Sequence, residues 1–209
     1  MPAAVNEDAA LDALLYPFVV GDLPWPQQGA SLFLRARGNS ALRAHAPAGL
    51  RCQQSFKPYA DVLQSTGFRV DDAVEDAGYA LVMVLPPRQR DESRALLAQA
   101  LQRVAPHGLV VVAALNTEGA RSVEADLARL AGPVATASKH KCRVVWVHAE
   151  AATMDTALIQ HWAALDAPRQ VAEGRFWSRP GLFAWDRIDA ASALLAAHLP
   201  TSLAGRGAD

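Results

Sequence analysis

The sequence predicts an α/β domain built on a mostly parallel sheet that finishes in an antiparallel hairpin. Residues 79–85 (Tyr-Ala-Leu-Val-Met-Val-Leu), 109–115 (Leu-Val-Val-Val-Ala-Ala-Leu) and 143–147 (Arg-Val-Val-Trp-Val) are short, nearly unbroken apolar runs. Runs of this length, rich in β-branched residues, read as strands buried on both faces, in a sheet covered by helices on each side. Between the first two, Leu96, Leu97, Ala100, Leu101 and Val104 recur at helical spacing, giving one apolar stripe. Residues 134–138 and 142–148 are extended segments joined only by Lys139-His140-Lys141. That connection is too short for a crossover helix, so the two segments pair antiparallel.

The remaining elements follow in order. Leu11, Leu14 and Leu15 suggest a short N-terminal helix, and residues 17–26 a proline-broken loop. Residues 31–34 (Ser-Leu-Phe-Leu) form a weaker strand signal. The helix over 91–105 has Asp91 as its N-cap and Pro106-His107-Gly108 as its stop. Residues 121–131 repeat the helical pattern with Val123, Leu127 and Leu130, ending at Gly132-Pro133. Strand, helix, strand, helix in this rhythm implies right-handed βαβ units. Residues 151–179 read as a linker with a short helix near 158–165. Ile188, Ala191, Leu194, Leu195 and His198 form a last amphipathic helix, with Asp189 near its start. Among common α/β folds, a parallel sheet ending in a hairpin suggests the class I S-adenosylmethionine (SAM) methyltransferase architecture, Rossmann-like, more than a dehydrogenase.

Composition bounds the function. Half of the 209 residues are hydrophobic, ample for a buried core. No apolar run is long enough to cross a bilayer, and residues 1–12 are acidic and Ala-rich, unlike a signal peptide. A cytoplasmic protein with no membrane partner is expected. Cys52 and Cys142 then read as buried small hydrophobes rather than a disulfide. A formal net charge of −1 excludes a global basic field, so any nucleic-acid contact would depend on local patches.

Motif by motif, catalytic chemistry is absent. A dinucleotide or SAM site needs glycines after the first strand, because the backbone must approach the ligand closely. The turn here, Arg35-Ala-Arg-Gly-Asn-Ser40, holds only Gly38. No Walker A sequence and no G-x-S-x-G elbow occur. His140, Cys142 and His148 supply too few ligands on one face for a metal, and none is expected. Local cations are the surviving features. Lys139, Lys141 and Arg143, beside His140, charge the hairpin tip. Arg88 and Arg90 follow the strand ending at Leu85, at the carboxyl edge where open α/β sheets bind ligands. These five are the RNA-contact candidates, although a charged hairpin tip also reads as a solvated turn. Arg169, Arg175, Arg179 and Arg187 interleave with Phe176, Trp177, Phe183 and Trp185. That mixture suits nucleic acid or a packed domain interface equally.

Residues 79–87 with the helix after them, 109–123 and 138–147 together resemble the N-terminal domain of the RsmC family of small-subunit rRNA guanine-N2 methyltransferases. Residues 180–195 (Pro-Gly-Leu-Phe-Ala-Trp-Asp-Arg-Ile-Asp-Ala-Ala-Ser-Ala-Leu-Leu) are similar to the segment that introduces the family's catalytic domain. The resemblance covers most of the chain from about Ala30 onward. It implies two tandem methyltransferase-like domains, of which only the C-terminal one binds SAM and reacts. The family's active copy carries Asn-Pro-Pro-aromatic after its fourth strand, accepting the guanine amine and stacking on the base. The corresponding residues here are Leu85-Pro86-Pro87-Arg88, which can do neither.

The resemblance therefore implies a degenerate, non-catalytic copy over 1–150, and over 151–209 a linker and the opening segment of a catalytic domain. No catalytic residue is expected and no SAM bound by this chain, with the cofactor serving the full-length enzyme. Phe183, Asp189 and Ser192 match positions that fold against the SAM pocket of the whole protein, while Asp189 as a helix cap and Phe183 as packing is the plainer reading. Asp209 matches the residue before the family's glycine loop, so a fragment cut at that threshold is expected. The expected partners are small-subunit rRNA and the protein's own C-terminal catalytic domain. Two alternatives stay open: half of a large-subunit guanine-N2 enzyme, and a scaffold or dimerisation domain without RNA contact. The target base and the oligomeric state are not encoded in any visible motif.

Overall fold

The computed structural model describes residues 8–200, 202, 204 and 205, in two compact units divided between Leu165 and Asp166. Asp209 and its proposed match lie outside the described residues. In the first unit the order is α1 (Ala9–Val19), β1 (Ser31–Leu34), α2 (Ser40–His45), β2 (Arg51–Gln53), α3 (Lys57–Ser65), β3 (Arg69–Asp71) and β4 (Tyr79–Val84). There follow α4 (Arg90–Arg103), β5 (Val104–Leu115), α5 (Ala120–Ala131), β6 (Ala135–Lys139), β7 (Cys142–His148) and α6 (Thr156–Ala163). The seven strands form one sheet in the order β3-β2-β1-β4-β5-β7-β6, parallel from β3 to β5, with β7 antiparallel to both neighbours.

The unbroken apolar runs are explained by two cores. Leu32, Leu34, Val82, Val84, Val110 and Val112 face α4, α5 and α6, packing with Leu97, Leu101, Leu127 and Trp162. Phe33, Leu81, Met83, Val111 and Val144 face the other way, packing with Leu11, Leu14, Leu42 and Leu63 from α1, α2 and α3. Alternate residues of each strand thus enter opposite cores, and neither face can be polar. Cys52 and Cys142 are free and buried in the second core.

Several boundaries differ from the sequence reading. Helix α1 continues through Pro17 to Val19, although Pro17 was expected to open a loop. Burial of Pro17 and Phe18, with Phe18 stacked on Trp25 at 4.0 Å, offsets the lost backbone hydrogen bond. The cap of α4 is Gln89, which accepts from the Glu92 N–H at 2.6 Å, rather than Asp91. Strand β5 begins at Val104, so Pro106-His107-Gly108 lies inside a strand instead of a connecting loop. His107 N donates to Ala149 O, and Ala149 N donates to Gly108 O, which extends the sheet there. Strands β2 and β3 and helices α2 and α3 carry no periodic signal long enough to read.

The first unit also runs past the boundary expected after Glu150. Ile159 and Trp162 of α6 are buried in the first core. The guanidinium groups of Arg94 and Arg129 lie over the Trp162 ring, at 4.5 Å and 5.1 Å from its centre. Asp126, 5% exposed, accepts a two-pronged pair from Arg94 (3.0 and 3.2 Å), tying α4 to α5.

The second unit, 166–209, contains β8 (Arg169–Val171), β9 (Phe176–Ser178) and α7 (Ala190–His198). The two strands pair antiparallel where a linker was expected. Asp189 caps α7, its Oδ2 accepting from Ser192 N at 3.0 Å.

Candidate functional site

The carboxyl edge of the sheet is where this architecture holds ligands. Leu34 pairs with Gln53 on one side and Val84 on the other, so the segments after β1, β2 and β4 leave the sheet side by side. The turn after β1 is closed by the chain's own groups. Gln53 Oε1 accepts from Arg35 N at 3.0 Å, and Ala36 N donates to Gln53 O at 2.9 Å. Buried Gln54 donates from Nε2 to Ala36 O at 2.6 Å. Asn39 turns inward to cap α2, accepting from Leu42 N, and donates to Asp12 at 2.7 Å. Arg37 is held by Asp8 at 2.9 Å.

Space is closed as well. A Cβ on Gly38 would stand 3.2 Å from Leu63 and 3.3 Å from Val62, so α3 lies directly against the single glycine of the turn. No carboxylate ends β2 to accept ribose hydroxyls; Gln53 and Gln54 occupy that place. The residues of this turn do not fit SAM. The N–H groups of Arg35 and Ala36 are already bonded to Gln53, and β4 is followed by Leu85-Pro86-Pro87-Arg88, with neither an Asn nor an aromatic residue.

The predicted cations all stand along this same edge. Leu115 of β5 pairs with Cys142, and Asn116 N donates to Lys141 O at 3.0 Å, which brings the β6–β7 turn to the carboxyl side. That turn is two residues, His140 and Lys141, with φ 51° and 59°. The left-handed pair suits a tight hairpin, though these residue types bear some strain in it. Lys139 ends β6 instead of joining the turn, with its ammonium 4.7 Å over the Tyr16 ring. Arg143 projects to the opposite face and pairs with Glu124 of α5. Lys141 and Arg88 are exposed. Arg90 is 60% exposed yet reaches Asp126 at 3.4 Å. The five candidates therefore share an edge but not a face, and two of them have acidic partners.

Between the hairpin and α5, Asn116, Gly119, Arg121 and Arg143 line a cavity of about 400 Å³. Gly119, with φ 90°, precedes α5 without a side-chain cap. Arg143 on this lining is already paired with Glu124, so Arg121 is the further cation beside the uncapped helix start, where the backbone favours negative charge. Sequence reasoning missed Arg121 and Asn116, which only the fold places beside Arg143, and it missed Gln53 and Gln54 because β2 is three residues long.

In the second unit Phe183 is 84% exposed, so it does not pack there. Asp189 and Ser192 are joined by hydrogen bonds to the N–H and hydroxyl of Ser192. Arg169 stacks on Trp185 at 4.5 Å and Arg175 on Phe176 at 5.5 Å, while Arg179 pairs with Asp166 at 3.0 Å. Among the described residues, no helix is long and apolar enough to cross a membrane.

The fold is that of class I SAM methyltransferases. The 16S rRNA N2-guanine methyltransferase RsmC of T. thermophilus, solved with AdoMet and guanosine, matches with TM-score 0.71 at 18% identity. The match covers 94% of this chain and 53% of that one, so the chain spans about half the length of that protein. The ribosomal protein L11 methylase of Lactobacillus delbrueckii subsp. bulgaricus matches with TM-score 0.52 at 8% identity, over 65% of this chain and 77% of that one. A SAM-dependent O-methyltransferase of Thermotoga maritima gives 0.50 at 9%, over 66% and 64%. No protein-family profile and no curated protein sequence matches the chain.

Proposed function

We propose that this chain is the non-catalytic N-terminal half of a SAM-dependent rRNA guanine-N2 methyltransferase. In this reading it supports a catalytic methyltransferase domain of the same protein and helps hold the RNA. One observation carries it: a methyltransferase strand order whose cofactor turn is bonded shut by Gln53 and Gln54 and filled by Val62 and Leu63. A working methyltransferase keeps that turn open. The match along 94% of this chain to about half of RsmC supports placing it in a two-domain enzyme. The cations of the carboxyl edge, with the cavity at Arg121 and Arg143, support an RNA partner. The SAM pocket of the whole enzyme is proposed to include Phe183, Asp189 and Ser192, with the second unit, residues 166–209, as the lead-in to that domain.

Calorimetric titration of SAM into the 209-residue chain tests the reading. No heat of specific binding is expected. Saturable micromolar binding would show that the turn opens, and would overturn the claim of an inert copy.

A further inference from the structure

Strand β6 is the outer edge of the sheet, paired with β7 alone. Its register against β7 is unbroken from Ala135 to Lys139, so no bulge bends it away. Lys139 and Cys142 close the two-residue turn and exchange both ladder bonds, and the alternation continues to Ala137 and Ala135. Thr136 and Ser138 therefore turn their N–H and C=O groups outward. Both residues are exposed, and among the described residues nothing pairs with those groups.

Edge strands are commonly guarded by shortness, charge, proline or a bulge. Strand β3, at the other edge, follows that rule, with three residues of which two are Arg69 and Asp71. Strand β6 does not. Residues 135–138 (Ala-Thr-Ala-Ser) are small and uncharged, and Pro133 lies before the strand. Lys139, the only charge of β6, is turned over the Tyr16 ring.

We propose that β6 pairs antiparallel with β6 of a second copy of this chain, centred on Ala137, joining the two sheets edge to edge. The inference goes beyond the proposed function and does not depend on it. Centring on Ala137 opposes all five residues and matches the alternation. Thr136 of one copy faces Ser138 of the other, twice by symmetry, and each such pair exchanges two backbone bonds. Ala137 meets its own counterpart at the close position, where Cα atoms stand about 4.5 Å apart and a small side chain fits. The hydroxyls of Thr136 and Ser138 are directly opposite on one face, a favourable cross-strand pair. Charge also suits a second copy. The two Lys139 residues fall at opposite ends, about 14 Å apart along the strands, beyond the screening length of about 8 Å. A foreign strand would meet the same backbone groups, but this edge of small residues has no side-chain pocket to select it. Two five-residue strands bury less than the about 1,200 Å² of a standard interface, so the dimer is weak. The two carboxyl edges then point in opposite directions.

Sedimentation of the 209-residue chain, from about 10 µM to about 1 mM, tests the pairing. A reversible monomer–dimer equilibrium is expected. Thr136→Lys/Ser138→Lys sets lysines opposite one another and should raise the dissociation constant about tenfold. Thr136→Lys/Ser138→Glu sets each lysine opposite a glutamate of the other copy and should keep it within about threefold of wild type. Both positions are exposed in the single chain, so thermal melting of dilute protein should be unchanged and separates lost pairing from lost folding. Equal weakening by the two double variants would overturn the register, and no weakening by the lysine pair would overturn the edge itself. A dimer abolished by Leu194→Asp/Leu195→Asp in the second unit, yet indifferent to the lysine pair, would likewise refute it. A wild-type chain that stays monomeric at about 1 mM sinks this inference and leaves the proposed function, which the SAM titration tests, untouched.

Discussion

Removing the Gln54 side chain should cost the first unit about 2 kcal/mol, because the amide is the internal occupant of the turn after β1. Gln54 is 4% exposed. Its Nε2 donates to Ala36 O at 2.6 Å, its Oε1 accepts from Phe56 N at 2.9 Å, and its own N–H bonds to Asp71 O. Gln54→Ala keeps only the last of these. The Ala36 carbonyl is then buried without a donor, a loss of about 1–3 kcal/mol. The Phe56 N–H is only partly buried, so water recovers most of its bond. For a chain of this size, about 2 kcal/mol lowers Tm by roughly 4–8 °C. Differential scanning calorimetry and a urea titration with unchanged m measure it. Gln54→Glu sharpens the test, since a carboxylate would face the Ala36 carbonyl. That carboxyl should be raised above its unfolded value of about 4.3. Its stability contribution is then fully present below that pH and lost as pH rises through the folded pKa. A Tm within about 1 °C of wild type for Gln54→Ala would refute the view that this side chain closes the turn.

Asp126→Ala should cost about 2–3 kcal/mol, below the full value for a broken buried pair because Arg94 is 20% exposed. A double-mutant cycle with Arg94→Met, read by urea unfolding, should return a coupling of at least about 1 kcal/mol, and simple additivity would contradict the clamp. Burial pushes the Cys52 thiol up to about 12 from an ordinary value of 9.0. The folded state therefore keeps a proton that the unfolded chain releases, and stability falls as pH rises between those values, by at most about 1.4 kcal/mol per pH unit. Cys52→Ala should flatten this alkaline decline in urea midpoints, while a decline of equal slope would place its origin elsewhere.

Long, strongly patterned elements were legible in the sequence. The runs that became β4, β5 and β7 are apolar at nearly every position because each lies between two helix layers. The hairpin was readable from length alone, since so few residues cannot cross over. Asp189 was visible as a cap because a side-chain oxygen before an apolar stripe has one local use. The thinness of the glycine turn was equally plain, with Gly38 alone between Arg35 and Ser40.

What local pattern could not supply was every relation between distant segments. Strands β2 and β3 have three residues each and gain their form only by pairing beside β1. Helix α1 crosses Pro17 because the second core holds it there, a stabilisation with no signature in the helix itself. Cations that looked alike in one dimension proved different in three. Lys139 and Arg143 leave the hairpin on opposite faces, Arg90 and Arg143 meet carboxylates, and among the described residues Arg88 does not. Sequence determined that this α/β chain has no intact glycine loop, because a loop's backbone requirements are written in adjacent residues. Tertiary structure decided that the turn is filled, because Gln53, Gln54, Val62 and Leu63 reach it only when β2 and α3 dock beside β1.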